Sequence, residues 1–382
     1  MEIDFLSEAE KISEDILSLR RSIHSEPEIG NSEFKTAEKI EAFLSGCGIE
    51  TTRLTETAVM GTLRGGKDGK TVAFRADIDA LPVAEKTGAD FSSKNEGVMH
   101  ACGHDVHTAS LLGAAKILSL HRGDLKGNVI FLFEPDEEGF GGAKRIIEQG
   151  GIKNTDAIFG AHISPDLPSG VVGIKFGKFY AASDMFTVEV HGKSSHGAEP
   201  EKGIDALSAA AEMVAELKSL TQILQGEKSV LSVGIFNSGT AGNIISDFAS
   251  FSGIIRTLGN DSRLKMKEVF KKSILEIAEK TGTTADIKIR ESYCGIVNHD
   301  KETEFVKDTV VEYFGDDKVR IISQPTMTTE DFGYFLEEIP GAFYHIGAGC
   351  TCPLHSPAFL PDDNSVVSAA AVHAALAFTY LK

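Results

Sequence analysis

TVAFRAD, at residues 71–77, is a nearly continuous apolar run interrupted only where it meets Arg75 and Asp77. Such a run is typical of a strand buried on both faces of a sheet. NVIFLF at 128–133 and AIFGAHI at 157–163 repeat the pattern, with helix-forming stretches between the runs. This strand–helix–strand alternation predicts an α/β layer around a mostly parallel sheet.

Polar residues follow each of these three strands. Asp77 and Asp79 end the first, the acidic segment EPDEEG at 134–139 follows the second, and His162 lies at the end of the third. Ligands of parallel α/β sheets bind beyond the carboxyl ends of the strands. We therefore expect a functional site at this edge of the sheet.

The pattern changes near residue 181 and returns after residue 294. The intervening stretch predicts a β-α-β-β-α-β unit, the order of a small α+β domain. Its predicted elements are strands at 184–192, 231–236, 250–259 and 284–291 and helices at 204–225 and 262–280. We predict a discontinuous α/β domain of residues 1–180 and 295–382, interrupted by a ferredoxin-like α+β lid of residues 181–294.

The net charge of −18 restricts the possible partners. Binding to nucleic acid phosphates requires a basic surface, and anionic membranes require the same. We expect neither partner. The sequence has no apolar run long enough for a transmembrane helix and no secretory signal at its start. The odd number of cysteines, 5, favours a reduced, cytoplasmic protein.

The segment MHACGHDVH at 99–107 places one thiol and three imidazoles close together. Thiolate and imidazole are natural ligands for zinc-like ions, and a Cys and a His flanking one Gly can both point inward from a turn. Cys102 with His104 as its base is an alternative nucleophile pair. A helix start with incidental histidines is the third interpretation of this segment.

Metal-assisted hydrolysis needs one carboxylate to bind metal and one to move a proton. Adjacent Glu137 and Glu138, directly after a buried strand, fit that division, although a solvated acidic turn explains them equally well. His162 and His355, taken singly, are more often hydrogen-bonded core or loop residues than ligands. Asp77 and Asp79 suit a partner that orients a metal-bound histidine.

Taken together, these segments resemble the dinuclear metallopeptidase family that contains aminoacylase, hippurate hydrolase, auxin-conjugate hydrolases and N-acetyldiaminopimelate deacetylase. The resemblance spans nearly the whole chain, and its motifs are collinear. They are HSEPEIG at 24–30, RADIDALP at 75–82, MHACGHDVH at 99–107, EPDEEGFGGA at 134–143, GAHISPDLPSG at 160–170, SSHGAEP at 194–200, GTAGNIISD at 239–247, TEDFGYFL at 329–336 and PLHSPAF at 353–359.

The resemblance implies a centre of two divalent ions, which would be Zn, Mn, Co or Ni. It implies that Cys102 bridges them, with His104 and His162 on one ion and Glu138 and His355 on the other. Glu137 is implied as the general base. Asp79 matches the aspartate that orients a metal ligand in the family and is preferred to Asp77 because it lies three residues before Pro82.

The family pattern also implies roles for three residues of the lid. His196 would reach the active site of a partner subunit in a homodimer and stabilise an oxyanion. Asn243 and Arg256 would bind the carboxylate of the substrate. The implied reaction is hydrolysis of the amide bond of small N-acyl amino acids. A dipeptidase or carboxypeptidase of the same family is the alternative, and a catalytically inactive metal-binding relative is a further one.

The sequence departs from the family pattern at a few positions. Glu134 and Asp136 stand where the family usually has Gln and Ala, and Ser246 replaces a usual Pro. Cys350 and Cys352 lie unusually close to His355 along the chain. The first two departures predict a tuned site, and the cysteine pair leaves open extra metal binding or redox sensitivity.

Overall fold

The structure, a computed structural model, describes residues 3–220 and 227–382, and its largest described sheet has eight strands. Two compact units are formed, the first from residues 3–177, 298–323 and 331–382 and the second from residues 178–220, 227–297 and 324–330.

The strands are β1 Glu50–Arg53, β2 Val59–Arg64, β3 Lys67–Asp77, β4 Lys126–Glu134, β5 Ala157–Ser164, β6 Val172–Ile174, β7 Gly177–Lys178, β8 Ala182–His191, β9 Ser195–His196, β10 Val230–Ser238, β11 Ile244–Ile245, β12 Phe248–Thr257, β13 Thr284–Glu291, β14 Val297–Asn298, β15 Val319–Ile321 and β16 Gly341–Gly347. The helices are α1 Phe5–Lys11, α2 Ser13–His24, α3 Phe34–Gly46, α4 His104–Leu120, α5 Ala143–Glu148, α6 Ala206–Leu220, α7 Asn260–Thr281, α8 Asp300–Phe314, α9 Gly333–Glu338 and α10 Asp363–Tyr380.

The sheet of the first unit runs in the order β1-β2-β4-β3-β5-β16-β6-β15. Its four central strands, β4, β3, β5 and β16, are mutually parallel. β5 is buried along its whole length because helices cover both faces of a parallel sheet. Helix α4 packs against α10, whose small residues allow a close approach. The predicted mostly parallel α/β sheet is therefore confirmed.

The second unit is built from β8, α6, β10, β12, α7 and β13, in the predicted β-α-β-β-α-β order. Its antiparallel sheet has the order β10-β12-β8-β13, the arrangement of a ferredoxin-like unit. Apolar residues of α6 and α7, among them Phe270, cover one face of this sheet and form a separate core with Val188 and Phe251 of its strands. The predicted helix over 204–225 is α6, Ala206–Leu220, and its last predicted residues, 221–225, lie outside the described part of the chain.

The second unit takes in residues that the predicted lid of 181–294 did not include. It begins at residue 178, ends its first stretch at residue 297 and adds residues 324–330. The added segment joins through backbone hydrogen bonds: Thr326 N–H donates to Phe179 O over 2.9 Å, and Ala181 N–H donates to Thr328 O over 3.0 Å. Pairing at such sequence separation has no local sequence signal.

Arg75 is completely buried at the carboxyl end of β3, where it needs carboxylate partners. Its Nε donates to Glu134 Oε2 over 2.6 Å, Nη1 donates to Asp77 Oδ2 over 2.7 Å, and Nη2 donates to Asp331 Oδ1 over 3.0 Å. Asp331 Oδ2 also accepts the Ala143 N–H, which lies at the start of α5. One guanidinium thus connects the ends of β3 and β4 to the segment that precedes α9.

Three carboxyl groups around one guanidinium leave an excess of acid. Burial raises the pKa of Glu134 well above its usual range, and the neighbouring Asp331 adds to this effect, while Arg75 opposes it. A protonated Glu134 can accept from Arg75 with one oxygen and donate with the other. A glutamine side chain would offer Arg75 an oxygen acceptor in the same place.

Glu134→Gln is expected to stabilise the protein increasingly as the pH rises from about 5 to about 8. A folded-state pKa above the ordinary 4.5 means that the stability contributed by protonating Glu134 is complete below that value and is lost as the pH approaches the raised pKa. The loss amounts to about 1.4 kcal/mol for each pKa unit of the shift, and a glutamine escapes it. Urea unfolding at several pH values measures the difference.

Glu148→Gln is the matched control, because it makes the same chemical change at an exposed residue of α5. Its effect on the free energy of unfolding should stay small at every pH. A Glu134→Gln effect that does not vary with pH would show that Glu134 is ionised in the folded protein.

Candidate metal centre

The predicted site residues of the first unit gather beyond the carboxyl ends of β3, β4 and β5. Asp79 follows β3, and Glu137 and Glu138 follow β4. His162 lies near the carboxyl end of β5. Helix α4 contributes His104 as its first residue. The loop at 353–359 adds His355, which is held because its N–H donates to Ala101 O over 2.8 Å.

A glycine is required between Cys102 and His104. Gly103 has a φ of 89°, in the left-handed region that favours glycine. A Cβ at this position would lie 2.6 Å from Ile163 Cγ2. The turn therefore brings the thiol and the first imidazole of α4 to the same side, against the end of β5.

Two groups of donor atoms share Cys102. Cys102, His104 and His162 form the first group, and Cys102, Glu138 and His355 form the second, with all ligand atoms of each group within 4.8 Å of one another. Cys102 Sγ lies 3.3 Å from His162 Nε2 and 3.3 Å from His355 Nε2. His355 Nε2 lies 3.1 Å from Glu138 Oε1. A thiolate with imidazole and carboxylate donors is a set that zinc-like ions accept.

Glu137 lies beside these groups rather than between them. Its Oε2 is 4.0 Å from His104 Nε2, and its side chain is 7% exposed. Together with His104 and Glu138 it forms a third set of neighbouring donor atoms. A carboxylate in this position can exchange a proton with a small molecule held at the centre.

Asp79 orients two of the donor residues. Its Oδ1 lies 3.0 Å from His104 Nδ1, and its Oδ2 accepts the Glu138 N–H over 3.0 Å. Asp77 Oδ1, in contrast, lies 3.7 Å from His104 Nδ1 and 2.5 Å from His107 Nδ1. With Nδ1 engaged by Asp79, the Nε2 atom of His104 faces the cluster.

The electrostatic field at His104 favours positive charge. Burial alone would lower the pKa of this imidazole, but the carboxylates of Asp77, Asp79 and Glu138 raise it to about 10. The same field would favour a divalent cation. Burial lowers the pKa of His162 well below its ordinary value, and the nearby imidazole of His107 lowers it further. His162 is therefore neutral. Its Nδ1–H donates to Ile163 O over 2.7 Å, which leaves the Nε2 lone pair for a ligand role.

An orphaned polar atom tests whether the residues fit a metal. His104 Nε2 is buried without a hydrogen-bond partner among the described residues. Buried polar atoms are normally paired, and atoms that are not paired require an explanation such as an ion. This atom belongs to one of the two donor groups that share Cys102, so the residues fit a two-metal centre.

The nucleophile alternative for Cys102 is disfavoured. Burial raises the pKa of the Cys102 thiol well above its ordinary value, and the carboxylates of Glu138 and Glu137 raise it further. The thiolate is the reactive form of cysteine, and it needs positive surroundings. Without a cation beside it, this thiol is a poor nucleophile.

The other imidazoles of the 99–107 segment do not join the donor groups around Cys102. His100 is buried, and burial lowers its pKa to about 3. His107 has its two ring nitrogens bonded to Asp77 and to the Ile163 N–H. The sequence motifs did not predict the ion pair of Arg75 with Asp331. An arginine within a buried strand nevertheless indicates that a carboxylate from elsewhere in the chain pairs with it.

Cys350 and Cys352 are free and half-buried. Burial raises the pKa of the Cys350 thiol above its ordinary value. A raised thiol pKa disfavours the reactive thiolate.

His196, Asn243 and Arg256 all lie in the second unit. The short strands β9 and β11 pair His196 with Ile244, and the Gly197 N–H donates to Asn243 O over 2.7 Å, so His196 and Asn243 lie on adjoining, exposed segments. Arg256 is half-buried on β12, and its Nη1 is buried without a hydrogen-bond partner in the described part of the chain. Burial lowers the pKa of Arg256 from its ordinary value.

Comparison with known proteins gives extensive matches. The model of peptidase family M20/M25/M40 matches residues 73–379. Thermostable carboxypeptidase 2 of Saccharolobus solfataricus is 37% identical, over 98% of this chain and 97% of its own. Hippurate hydrolase of Campylobacter jejuni is 36% identical, over 100% of this chain and 98% of its own.

A solved structure matches equally well. The Bacillus subtilis YXEP protein, described as a dinuclear metal binding peptidase from the M20 family, is 32% identical to this chain. The structural match has a TM-score of 0.88 and covers 97% of this chain and 99% of that one. Within residues 3–220 and 227–382, no helix combines the length and the apolar character needed to cross a membrane.

Proposed function

The chain belongs to peptidase family M20/M25/M40, and from this membership we infer that it hydrolyses the amide bond of small N-acyl amino acids at a two-metal centre. The membership confirms the resemblance that the collinear motifs indicated. Members of the family are hydrolases of amide bonds, and this chain is an amidohydrolase. The observation that supports the two-metal centre is the pair of donor groups that share Cys102.

The donor groups support the ligand assignment that the family pattern implies. His104 and His162 would hold one cation, Glu138 and His355 the other, and Cys102 both. Divalent cations at these positions would activate water and polarise the substrate carbonyl. Zinc and manganese, with cobalt and nickel as further candidates, accept this mixture of sulfur, nitrogen and oxygen ligands.

Glu137 is proposed as the general base. Its carboxylate would take the proton of the attacking water and give it to the leaving amine, a role that needs a carboxylate next to the ligands but free of them. Asp79 supports the reaction indirectly, because it fixes the ring of His104 and the backbone of Glu138.

The second unit would supply substrate contacts. Arg256, with an unpartnered Nη1, suits a carboxylate of the substrate, and a guanidinium binds carboxylates with two parallel hydrogen bonds. Asn243 would add an amide donor. His196, on an exposed segment, would serve the active site of a partner subunit and stabilise the oxyanion of the tetrahedral intermediate. This arrangement requires a homodimer joined through the second units.

The compartment is proposed to be cytoplasmic. All 5 cysteines are free, and a metal-binding Cys102 must stay reduced.

A carboxypeptidase or dipeptidase is the second candidate, since a curated relative at 37% identity bears a carboxypeptidase name. The two candidates share the metal residues and differ in the acyl side of the substrate. Initial rates on N-acetyl and N-benzoyl amino acids, compared with dipeptides and with peptides blocked at the amino end, distinguish them. We expect kcat/KM to be highest for an N-acyl amino acid. A higher value for a dipeptide would favour the second candidate.

Glu137→Gln and Glu138→Gln are expected to fail in different ways. Glu137→Gln removes the proposed base and should keep both metals while kcat falls by a factor of roughly 100 or more. Glu138→Gln removes a ligand and should lose metal affinity as well. Metal content per chain after dialysis and kcat on the best substrate are the measurements. Retention of metal by both variants, with only Glu138→Gln inactive, would reverse the two assignments.

Complementation tests the proposed role of His196 in a partner subunit. His196→Ala and Glu137→Gln should each be nearly inactive alone. Mixed under conditions that exchange subunits, they should recover part of the activity, because some heterodimers then contain one site in which both residues are intact. The recovered activity at equal mixing should approach about a quarter of the wild-type value per chain, since one site in four is intact under random exchange.

His191→Ala mixed with Glu137→Gln is the control, because His191 lies in the same unit and carries no proposed catalytic role. It should be active alone. Absence of recovery by His196→Ala despite demonstrated heterodimers would place His196 in its own subunit or outside the reaction. A monomer at micromolar concentration would contradict the dimer itself.

A further inference from the structure

His107 is buried one turn of α4 after His104, and both of its ring nitrogens are engaged. Nε2 accepts the Ile163 N–H over 2.8 Å, so it carries no hydrogen. The hydrogen is therefore on Nδ1, which faces Asp77 Oδ1 at 2.5 Å. A neutral imidazole with one fixed tautomer joins the end of β3 to the end of β5.

The backbone of Ile163 passes this constraint on to a metal ligand. Its N–H is fixed by His107, and its carbonyl accepts Nδ1–H of His162 over 2.7 Å. The carbonyl acceptor sets the orientation of the His162 ring and directs Nε2 to Cys102 Sγ at 3.3 Å. A change in the backbone torsions of Ile163 would therefore turn the His162 ring away from Cys102 Sγ.

The other end of the chain of contacts is anchored rigidly. Asp77 accepts from His107 with Oδ1 and from Arg75 with Oδ2. Arg75 is held in turn by Glu134 and Asp331, and all four side chains of this network are fully buried. Contacts to the buried guanidinium of Arg75 are kept, because breaking one of them leaves part of a desolvated charge unpaired.

We propose that His107 is a positioning residue for the metal centre, acting through the backbone of Ile163 on His162. It does not itself bind metal, since its nitrogens are both used. Partners of this kind typically change metal affinity or activity by roughly 10- to 100-fold when removed. The inference rests on the proposed metal centre and adds to it a residue that lies outside the ligand set.

The test compares His107→Phe and His107→Gln with the wild type. Phenylalanine keeps the ring and loses both contacts, whereas glutamine can still offer one donor or acceptor. Zinc affinity is measured by titrating metal-depleted protein against a competing chelator, and kcat is measured at low and at saturating zinc. We expect affinity to decrease from wild type to His107→Gln to His107→Phe, with a loss of roughly 10- to 100-fold in the last. Saturating zinc should restore much of the kcat of His107→Gln.

His373→Phe is the matched control. His373 is a buried histidine that lines the same small internal cavity as His107, and its Nδ1 is bonded to Tyr344 OH over 2.7 Å. This variant should lose stability without losing zinc affinity. If His107→Phe does not fold, the comparison of His107→Gln with His373→Phe decides, and a loss of affinity confined to His107→Gln supports the proposal.

The proposal would be overturned if His107→Phe bound zinc with the affinity of the wild type. If only His107→Gln folds, wild-type affinity in that variant would overturn it, and His107 would then be a core residue. A wild-type protein that binds no zinc in the same titration would contradict the metal centre instead. The two failures are therefore distinguishable.

Discussion

The burial of Arg75 inside the central sheet constrains everything around the site. A guanidinium without water must be paired, and removal of its partners would cost about 3–5 kcal/mol because an uncompensated charge stays buried. Its partners Asp77, Glu134 and Asp331 come from three separate segments, so the strand ends that carry the site are fastened by the same contact. Fold and site therefore depend on one ion-pair network.

The metal centre shows how neighbouring residues of one segment acquire different tasks. His104 and His107 are three apart and share a face of α4, yet different carboxylates orient them. Asp79 orients His104 so that its Nε2 faces the donor cluster. Asp77 orients His107 so that its Nε2 accepts the Ile163 N–H of β5. The carboxylates around His104 raise its pKa to about 10. A pair of cations would neutralise the negative charge of these carboxylates.

Much of this was predictable from local pattern, and the remainder was not. Buried runs such as TVAFRAD identified the parallel strands, and the Cys102–Gly103–His104 spacing identified the turn that needs a glycine. The strand β16, Gly341–Gly347, was not predicted, although it is a mostly buried run and pairs with β5 beside His162. The partners of Arg75 and the pairing of residues 324–330 with the second unit are contacts across long sequence separations. Such contacts depend on the finished fold, and motif reading recovers them only through family resemblance.

The most direct test of the account is to locate the metals. Crystals of protein loaded with zinc, measured at wavelengths above and below the zinc absorption edge, give the positions of the ions independently of any activity assay. We predict two ions per chain, both adjacent to Cys102 Sγ and separated by about 3.5–4 Å, the spacing of two-metal hydrolytic sites. A single ion, or ions away from Cys102 in protein that is fully active, would contradict the shared-thiolate centre.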